Sequence, residues 1–547
     1  MFFASPDMWL PVSAWLLLPL LYIELHYRWL PGASRYYRRE PEILADLPTR
    51  IAPGQKPPLL LLVKDAQRFP IRLERVEVAL DTGEGPRPWT VITVEEELAG
   101  LWWHRVVELE RPEVAGYVKW WVTFHYRSRG RLRSCTTHNL PGLPQAAMGT
   151  YLASDDLPGQ GVVWGDLHHH SGLTEDAIEF GAPLEASRAA ATALGLGFVA
   201  VTDHSYDLDD HIGSWRLTDP ELTKWHTSRR RMAELNREST AALLLPSEEL
   251  SVRNSRGRNV HALVLDHPHF LPGSGDGGER VLRRPSELNL TELTATVQSP
   301  GVVIAAHPYQ PVPWLQRLVI GRDNWSAPDL ATPGIAGLQI MNGRLDAGFW
   351  HGLGAWIRLL LQGERTYIYA GSDSHGDFNR FRVIGLPFVY LTERDGMTLG
   401  SCRTGVLGVK PGDQAGIMSA LSEGRCLISN GPSIDLEVRG DGSSAGPGAS
   451  LPGGDFEVHL RLASTAEFGP LTRLRLYRGI IGAPREDLLV DLLLGSGRYE
   501  FRWRHKLHQT RQGYLRAEVQ SRLPAGNVFG NHRGLALTNP LWIDGPG

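Results

Sequence analysis

The chain has 547 residues, 42% of them hydrophobic and 21% charged, with a formal net charge of -4 and an isoelectric point near 6.6. That length predicts about three domains of globular composition. The near-neutral charge argues against a general attraction to nucleic acid or to an anionic membrane, so no nucleic-acid partner is expected. Three scattered cysteines, Cys135, Cys402 and Cys426, with no CxxC pair, argue against a disulfide framework and against thiolate zinc.

Met8 to Ile23 is almost wholly apolar. It falls a little short of the roughly 20 residues that cross a bilayer, and it lacks the basic start of a cleaved secretory signal. Glu24, His26, Arg28, Arg35, Arg38 and Arg39 follow. If the segment spans, this basic flank keeps the body of the protein cytoplasmic. Otherwise it packs on the next domain or lies in the membrane interface. The expectation is an apolar helix and connector over residues 1–45, in a cytoplasmic protein that associates with a membrane through residues 8–23.

Residues 46–155 read as short strands. Leu59 to Val63 is a buried-strand run, and Ile71–Leu80, Trp102–Leu109 and Tyr117–Tyr126 alternate apolar with polar. Turn signals such as Thr82-Gly83-Glu84-Gly85 separate them, which predicts a β-sandwich. Its tryptophans (Trp102, Trp103, Trp120, Trp121) read as core. Residues 156–412 change pattern. Apolar runs alternate with helical ones, as in the helix from Pro183 to Ala191, closed by Gly195-Leu196-Gly197 before the strand Phe198–Thr202. Repeated β/α units imply an α/β domain with its site at the carboxyl ends of the strands. Residues 413–547 begin with a helix, Gln414 to Glu423, and then read as a second sandwich.

The chemistry-bearing residues recur at strand ends in the middle region. Val162-Val163-Trp164 leads into Gly165-Asp166-Leu167-His168-His169-His170-Ser171. Side chains alternate along a strand, so His168 and His170 share a face about 7 Å apart, where two imidazoles can grip one ion, and His169 points away. Thr202-Asp203-His204 follows the next strand, then come Glu248-Glu249-Leu250-Ser251, His261, His307-Pro308 and Ser372-Asp373-Ser374-His375. Each taken singly suits a core histidine or a helix cap. Their recurrence at successive strand ends points to one metal cluster.

This ordered set resembles the polymerase and histidinol phosphatase (PHP) superfamily of metal-dependent hydrolases, over roughly residues 161 to 390. The later Asn430-Gly431-Pro432 and Thr538-Asn539-Pro540 are similar to its carbaryl-hydrolase-like (CehA/McbA) branch. The resemblance implies a distorted (β/α)7 barrel flanked by the two sandwiches and carrying two or three divalent ions, manganese, zinc or iron. It implies His168, His170, Glu249 and Asp373 around the first ion, and His204, His375 and a carboxylate at Glu175 around the second. Glu249 would bridge to a third held by His261 and His307. Asp176 is an alternative to Glu175, because the family pattern Ser-Asp-Gly is here Thr174-Glu175-Asp176. Glu249 is favoured over Glu248 because Glu249-Leu250-Ser251 matches the family pattern.

Asp166 and Asp203 read as residues that orient the histidines. A metal-bound hydroxide is the expected nucleophile, with Asp373, His375 and Glu249 at the reacting atoms. Asn342 ends another strand and, with Arg344, is a candidate to touch a small-molecule substrate. Arg253, Arg258, Arg380 and Arg382 are further sources of positive charge. The expected activity is phosphoester hydrolysis. The alternatives are hydrolysis of an amide, ester or carbamate, and a non-catalytic metal-binding or envelope interaction protein.

Overall fold

The computed structural model describes residues 40–545, apart from 140–144, 175–180, 213, 239–240, 276–284, 377, 380–382, 387–388, 393–396, 441 and 525–532. The apolar segment at residues 8–23, Glu175, Asp176, Arg380 and Arg382 therefore lie outside the described residues. Among the described residues no helix is long and apolar enough to cross a membrane.

Residues 42–152 form two sheets around a shared core. The smaller joins Glu42–Asp46, Pro58–Lys64 and Trp102–Glu108. The larger orders Arg50–Ile51, Met148–Leu152, Gly116–Ser128, Ile71–Asp81 and Arg87–Leu98, with Arg131–Thr136 also paired to Gly116–Ser128. In Ile71–Asp81 the apolar positions switch phase, from Ile71 and Leu73 to Val76, Val78 and Leu80. A β-bulge between Leu73 and Arg75 absorbs the extra residue, so all five side chains reach the core. Trp120 is fully buried there, whereas Trp102, Trp103 and Trp121 are half-buried.

The central sheet begins with β1 (Val162–His169). Helix α1 (Leu184–Leu194) follows and ends at Gly195, whose left-handed φ of 85° lets its N–H cap the last carbonyls. Then come β2 (Phe198–Val201), helix α2 (Thr223–Leu235), β3 (Leu243–Arg253), β4 (Asn259–Leu265) and β5 (Val302–Ala305). They are followed by β6 (Ile335–Asn342), helix α3 (Ala347–Leu361) and β7 (Tyr367–Gly371). The spatial order is β7-β6-β5-β4-β3-β2-β1. β1, β2 and β3 are mutually parallel, as are β5, β6 and β7, but β4 runs antiparallel to both its neighbours. The regular β/α alternation breaks at Asn254–Arg258. The Asn254 side chain accepts the N–H groups of Arg256 and Arg258, and Gly257 has a φ of +68°, which makes a hairpin turn where a crossover was expected.

The carboxyl end of β7 lies against β1. His169 and Ser374 form a parallel bridge, Asp373 N–H donates to His168 O at 2.8 Å, and His170 N–H donates to Ser374 O at 2.7 Å. Glycine at 371 permits this approach, since a Cβ there would lie 2.6 Å from His168 Cβ. The architecture is thus mixed α/β, with few helices and many strands in large sheets.

On its other side β1 pairs with β8 (Arg403–Leu407). After helix α4 (Gln414–Ser422), β8 pairs with β9 (Cys426–Ser429). From β9 the same sheet continues through Arg533–Thr538, Gly513–Arg522, Leu471–Ile480 and Asp487–Leu493. A four-stranded sheet of Ser443–Ala445, Ser433–Gly440, Gly454–Ala463 and Glu500–Gln509 packs on it through Leu436, Val458, Leu460, Leu474 and Leu515, a sandwich-like pair.

Candidate metal centre

Strand alternation places the first two imidazoles. His168, on β1, and His170, just beyond its end, bring their Nε2 atoms to 3.1 Å, both fully buried. His169 turns the other way, with Nδ1 2.7 Å from Ser374 Oγ and Nε2 2.8 Å from Ser187 Oγ. Burial first, and then the neighbouring imidazoles of His170 and His168, push its pKa down to about 3, so His169 is a neutral packing group.

Glu249 is the hub. It lies on β3, and alternation sends Glu248 to the opposite face, where Trp225 Nε1 donates to it at 2.7 Å and Arg229 at 3.2 Å. Glu249 Oε2 lies 3.2 Å from His168 Nε2, 3.3 Å from His170 Nε2 and 3.2 Å from His204 Nδ1. Its Oε1 lies 2.6 Å from His261 Nδ1 and 3.1 Å from His307 Nε2. Asp373 Oδ1 completes the first group, 3.2 Å from His168 Nε2 and 3.4 Å from His170 Nε2. Burial pushes both carboxyls up, but the surrounding imidazoles outweigh it. His261, His168 and His204 hold Glu249 well below the usual range, and His168, His170, His307 and His375 do the same for Asp373. His307 and Asp373 take left-handed φ values of 28° and 54°, rare backbone for residues other than glycine, at the turns that aim them inward.

Hydrogen bonds behind the cluster decide which ring nitrogens face it. Gln339 uses its amide N–H groups on Asn342 Oδ1 (2.9 Å) and Gly371 O (3.1 Å). Its Oε1 is therefore the acceptor for His168 Nδ1–H at 2.9 Å, and the lone pair of His168 Nε2 points into the cluster. Thr174 Oγ1 donates to Asp203 Oδ1 at 2.8 Å, so it accepts from His170 Nδ1–H at 3.3 Å, with the same result. Asp203 also accepts from Ser171 N–H and Oγ, both at 2.7 Å. Asp166 accepts four bonds: His168 N–H (3.1 Å), Ser372 N–H (2.8 Å), Ser372 Oγ (2.5 Å) and Gly400 N–H (2.9 Å). It thereby ties β1 to the Asp373 turn.

Three groups of donor atoms can hold a metal ion: His168, His170, Glu249 and Asp373; His170, His204 and His375; and His204, Glu249 and His261. The first is the expected set. In the second, His170 joins the expected pair, its ring stacked on His375 at 4.2 Å, while Glu175 lies outside the described residues. In the third, His204 stands where His307 was expected, because β2 ends directly beside Glu249 in a parallel bridge. The donor spacings of 3.1–3.4 Å in the first group match the edge of a tetrahedron built on bonds of about 2.0–2.1 Å, about 3.3–3.4 Å. Neutral imidazole with carboxylate suits zinc, manganese or iron.

The open side of the cluster is a cavity of about 350 Å³. Glu249, His261, His307, Asp373 and His375 line it together with Tyr206, Gln310, Arg322 and Trp325. Asn342, expected to touch substrate, uses both amide hydrogens inside the protein, on Gln310 Oε1 (3.1 Å) and Asp373 Oδ2 (3.0 Å), and so orients Asp373. Arg344 faces Asp346 at 3.8 Å and does not line the cavity. Among the described residues the arginine that does is Arg322, with Nη2 3.1 Å from His261 Nδ1. Sequence reasoning missed Arg322, Gln339 and Thr174. A lone Gln inside the apolar run Leu338 to Met341 was the available signal for Gln339. Arg322 sits in a loop with no pattern to mark it.

A scan against protein-family models and a search of curated proteins give no match to this chain.

Proposed function

We propose that this protein is a metal-dependent phosphoesterase of the PHP type, with the seven central strands closing as a distorted barrel around the cluster. The observation that carries the reading is the convergence of five imidazoles on one buried carboxylate, Glu249, with the Nε2 lone pairs of His168 and His170 aimed inward by Gln339 and Thr174. Without a cation such a gathering of lone pairs and carboxylate oxygens is unfavourable. When bound, divalent ions supply acidified water and charge stabilisation at the substrate oxygen.

The residues of the chain supply the rest. Asn342 holds Asp373 Oδ2, leaving Oδ1 on the cluster. Arg322 brings positive charge to the cavity, which favours an anionic small-molecule substrate over a neutral carbamate or ester. Glu249, Asp373 and His375 are the groups placed nearest the reacting atoms. The cavity volume suits a small molecule.

The test couples metal analysis to turnover of a phosphomonoester and phosphodiester panel and of a carbamate and aryl-ester panel, with His168→Ala as control. Phosphoester turnover that disappears together with the metal in His168→Ala is expected. Turnover of the second panel alone replaces the reading with the carbonyl-hydrolase alternative. Metal loss without activity loss refutes the mechanism.

A further inference from the structure

We infer that the open edge of Glu500–Gln509 is a docking strand for an extended, acidic segment of a partner protein, which adds to the four-stranded sheet of the carboxyl-terminal sandwich. Glu500–Gln509 ends that sheet and, among the described residues, pairs with Gly454–Ala463 alone. A strand in that place directs alternate N–H and C=O groups away from its neighbour, ready to receive another strand. On its outer face Arg502, Arg504 and Lys506 form one exposed row, about 7 Å apart. Across the pairing Arg502 stands opposite another arginine, Arg461, Arg504 opposite His459, and Lys506 opposite Glu457. The acids of the neighbouring strands are engaged elsewhere. His459 lies 2.8 Å from Glu457, His508 2.7 Å from Asp455, Arg439 2.9 Å from Glu437, and Arg461 3.8 Å from Asp435. Among the described residues Arg502, Arg504 and Lys506 make no ion pair.

The opposite face of the same strand carries Phe501, Trp503 and Leu507, half-buried against the core of the sandwich. A segment that alternates acidic with apolar residues therefore meets three needs together: the cations of one face, the apolar side chains of the other, and the backbone groups between them. A phosphate of nucleic acid or lipid answers the cations alone. A second copy of the strand is disfavoured by charge. Antiparallel pairing at full overlap, centred on Arg504, sets Arg504 against Arg504 and Arg502 against Lys506, and like charges directly opposite are repulsive. Glu500 heads the row of cations and marks where the acidic stretch of the partner ends.

The experiment titrates the full-length protein into fluorescein-labelled peptides and follows fluorescence anisotropy. The probe alternates Glu with Val over the length of the strand. Its controls are the alternating Lys-Val peptide, a peptide of the same composition with its Glu and Val in separate blocks, and the probe with every backbone nitrogen methylated, which keeps the charge and loses the donors. Single-stranded DNA and phosphatidylserine vesicles are run beside them. Saturable binding of the probe is expected. Binding should be about tenfold or more weaker for each control peptide, and for a protein carrying Arg502→Glu, Arg504→Glu and Lys506→Glu together, its fold confirmed by circular dichroism. No binding of the probe overturns the inference. Equal binding of the block or methylated peptide, unchanged binding by the folded triple variant, or tighter binding of DNA or vesicles also overturns it. If the triple variant does not fold, the control peptides with wild type decide the question.

Discussion

Asp166 touches no ion site directly, yet it is predicted to control metal affinity, and Asp166→Asn is the perturbation that tests this. Its two carboxylate oxygens accept four hydrogen bonds, two on each oxygen. In the better orientation the new carboxamide oxygen keeps His168 N–H and Ser372 N–H. Its NH2 group then meets Ser372 Oγ, which can rotate to accept, and Gly400 N–H, which cannot. One buried backbone donor is orphaned, at a cost of about 1–3 kcal/mol, and the two retained bonds lose their charge assistance. The expected loss of stability is about 2–3 kcal/mol. Because Asp166 ties the His168 backbone to the turn carrying Asp373, the first donor group loosens, and metal affinity should fall about 10–100-fold, as when an outer-shell partner is removed. Urea unfolding of the metal-free protein measures the first effect, and a chelator competition read by elemental analysis measures the second. An Asp166→Asn protein within about 0.5 kcal/mol of wild type and with unchanged metal affinity would refute the reasoning, since surface substitutions act on that scale.

Acid stability follows from His169. Its folded pKa is depressed to about 3, by burial first and then by the imidazoles of His170 and His168, so between the ordinary value of 6.5 and 3 the unfolded chain binds the extra proton. Stability is therefore whole above 6.5 and is lost toward acid, at up to about 1.4 kcal/mol per pH unit from this group. His169→Asn should remove one proton from the pH slope of unfolding across pH 6 to 4, and an unchanged slope would count against the assignment. Arg50 and Glu467 form a buried ion pair at 2.7 Å, 2% and 6% exposed. The same guanidinium also donates to Leu194 O, at the end of α1, so it joins the amino-terminal, central and carboxyl-terminal parts of the chain. Glu467→Ala leaves that charge uncompensated and should destabilise by about 3–5 kcal/mol, read in the same urea unfolding, whereas a change below 1 kcal/mol would show the pair to be dispensable.

Strand alternation is a property of the local backbone, and it was enough to read two facts from residue order. His168 and His170 share a face, and His169 leaves it, whereas Glu249 was preferred to Glu248 on the resemblance alone and it is the structure that puts the two on opposite faces of β3. The strands from Leu59 to Val63 and from Ile71 to Leu80, and the helix beginning at Gln414, were legible from other local patterns, an apolar run, a near-alternation and a helical stretch. The antiparallel β4 was not, because the hairpin at Asn254–Arg258 depends on an Asn side chain folding back onto its own backbone.

By itself the sequence determined the kinds of donor and the places of those at the ends of β1, β2, β5 and β7, since residue type and period are local, whereas Glu249 and His261, expected at strand ends, lie within β3 and near the start of the antiparallel β4. Only the tertiary structure decided that His204 sits beside Glu249 and His261, that Gln339 and Thr174 choose the ring nitrogens, and that Arg322 rather than Arg344 reaches the cavity. Those outcomes depend on the register between β2, β3 and β4 and on the Arg322 loop, pinned at Asn259 through Ile320 and Gly321, and register is fixed by packing between segments that no local pattern connects.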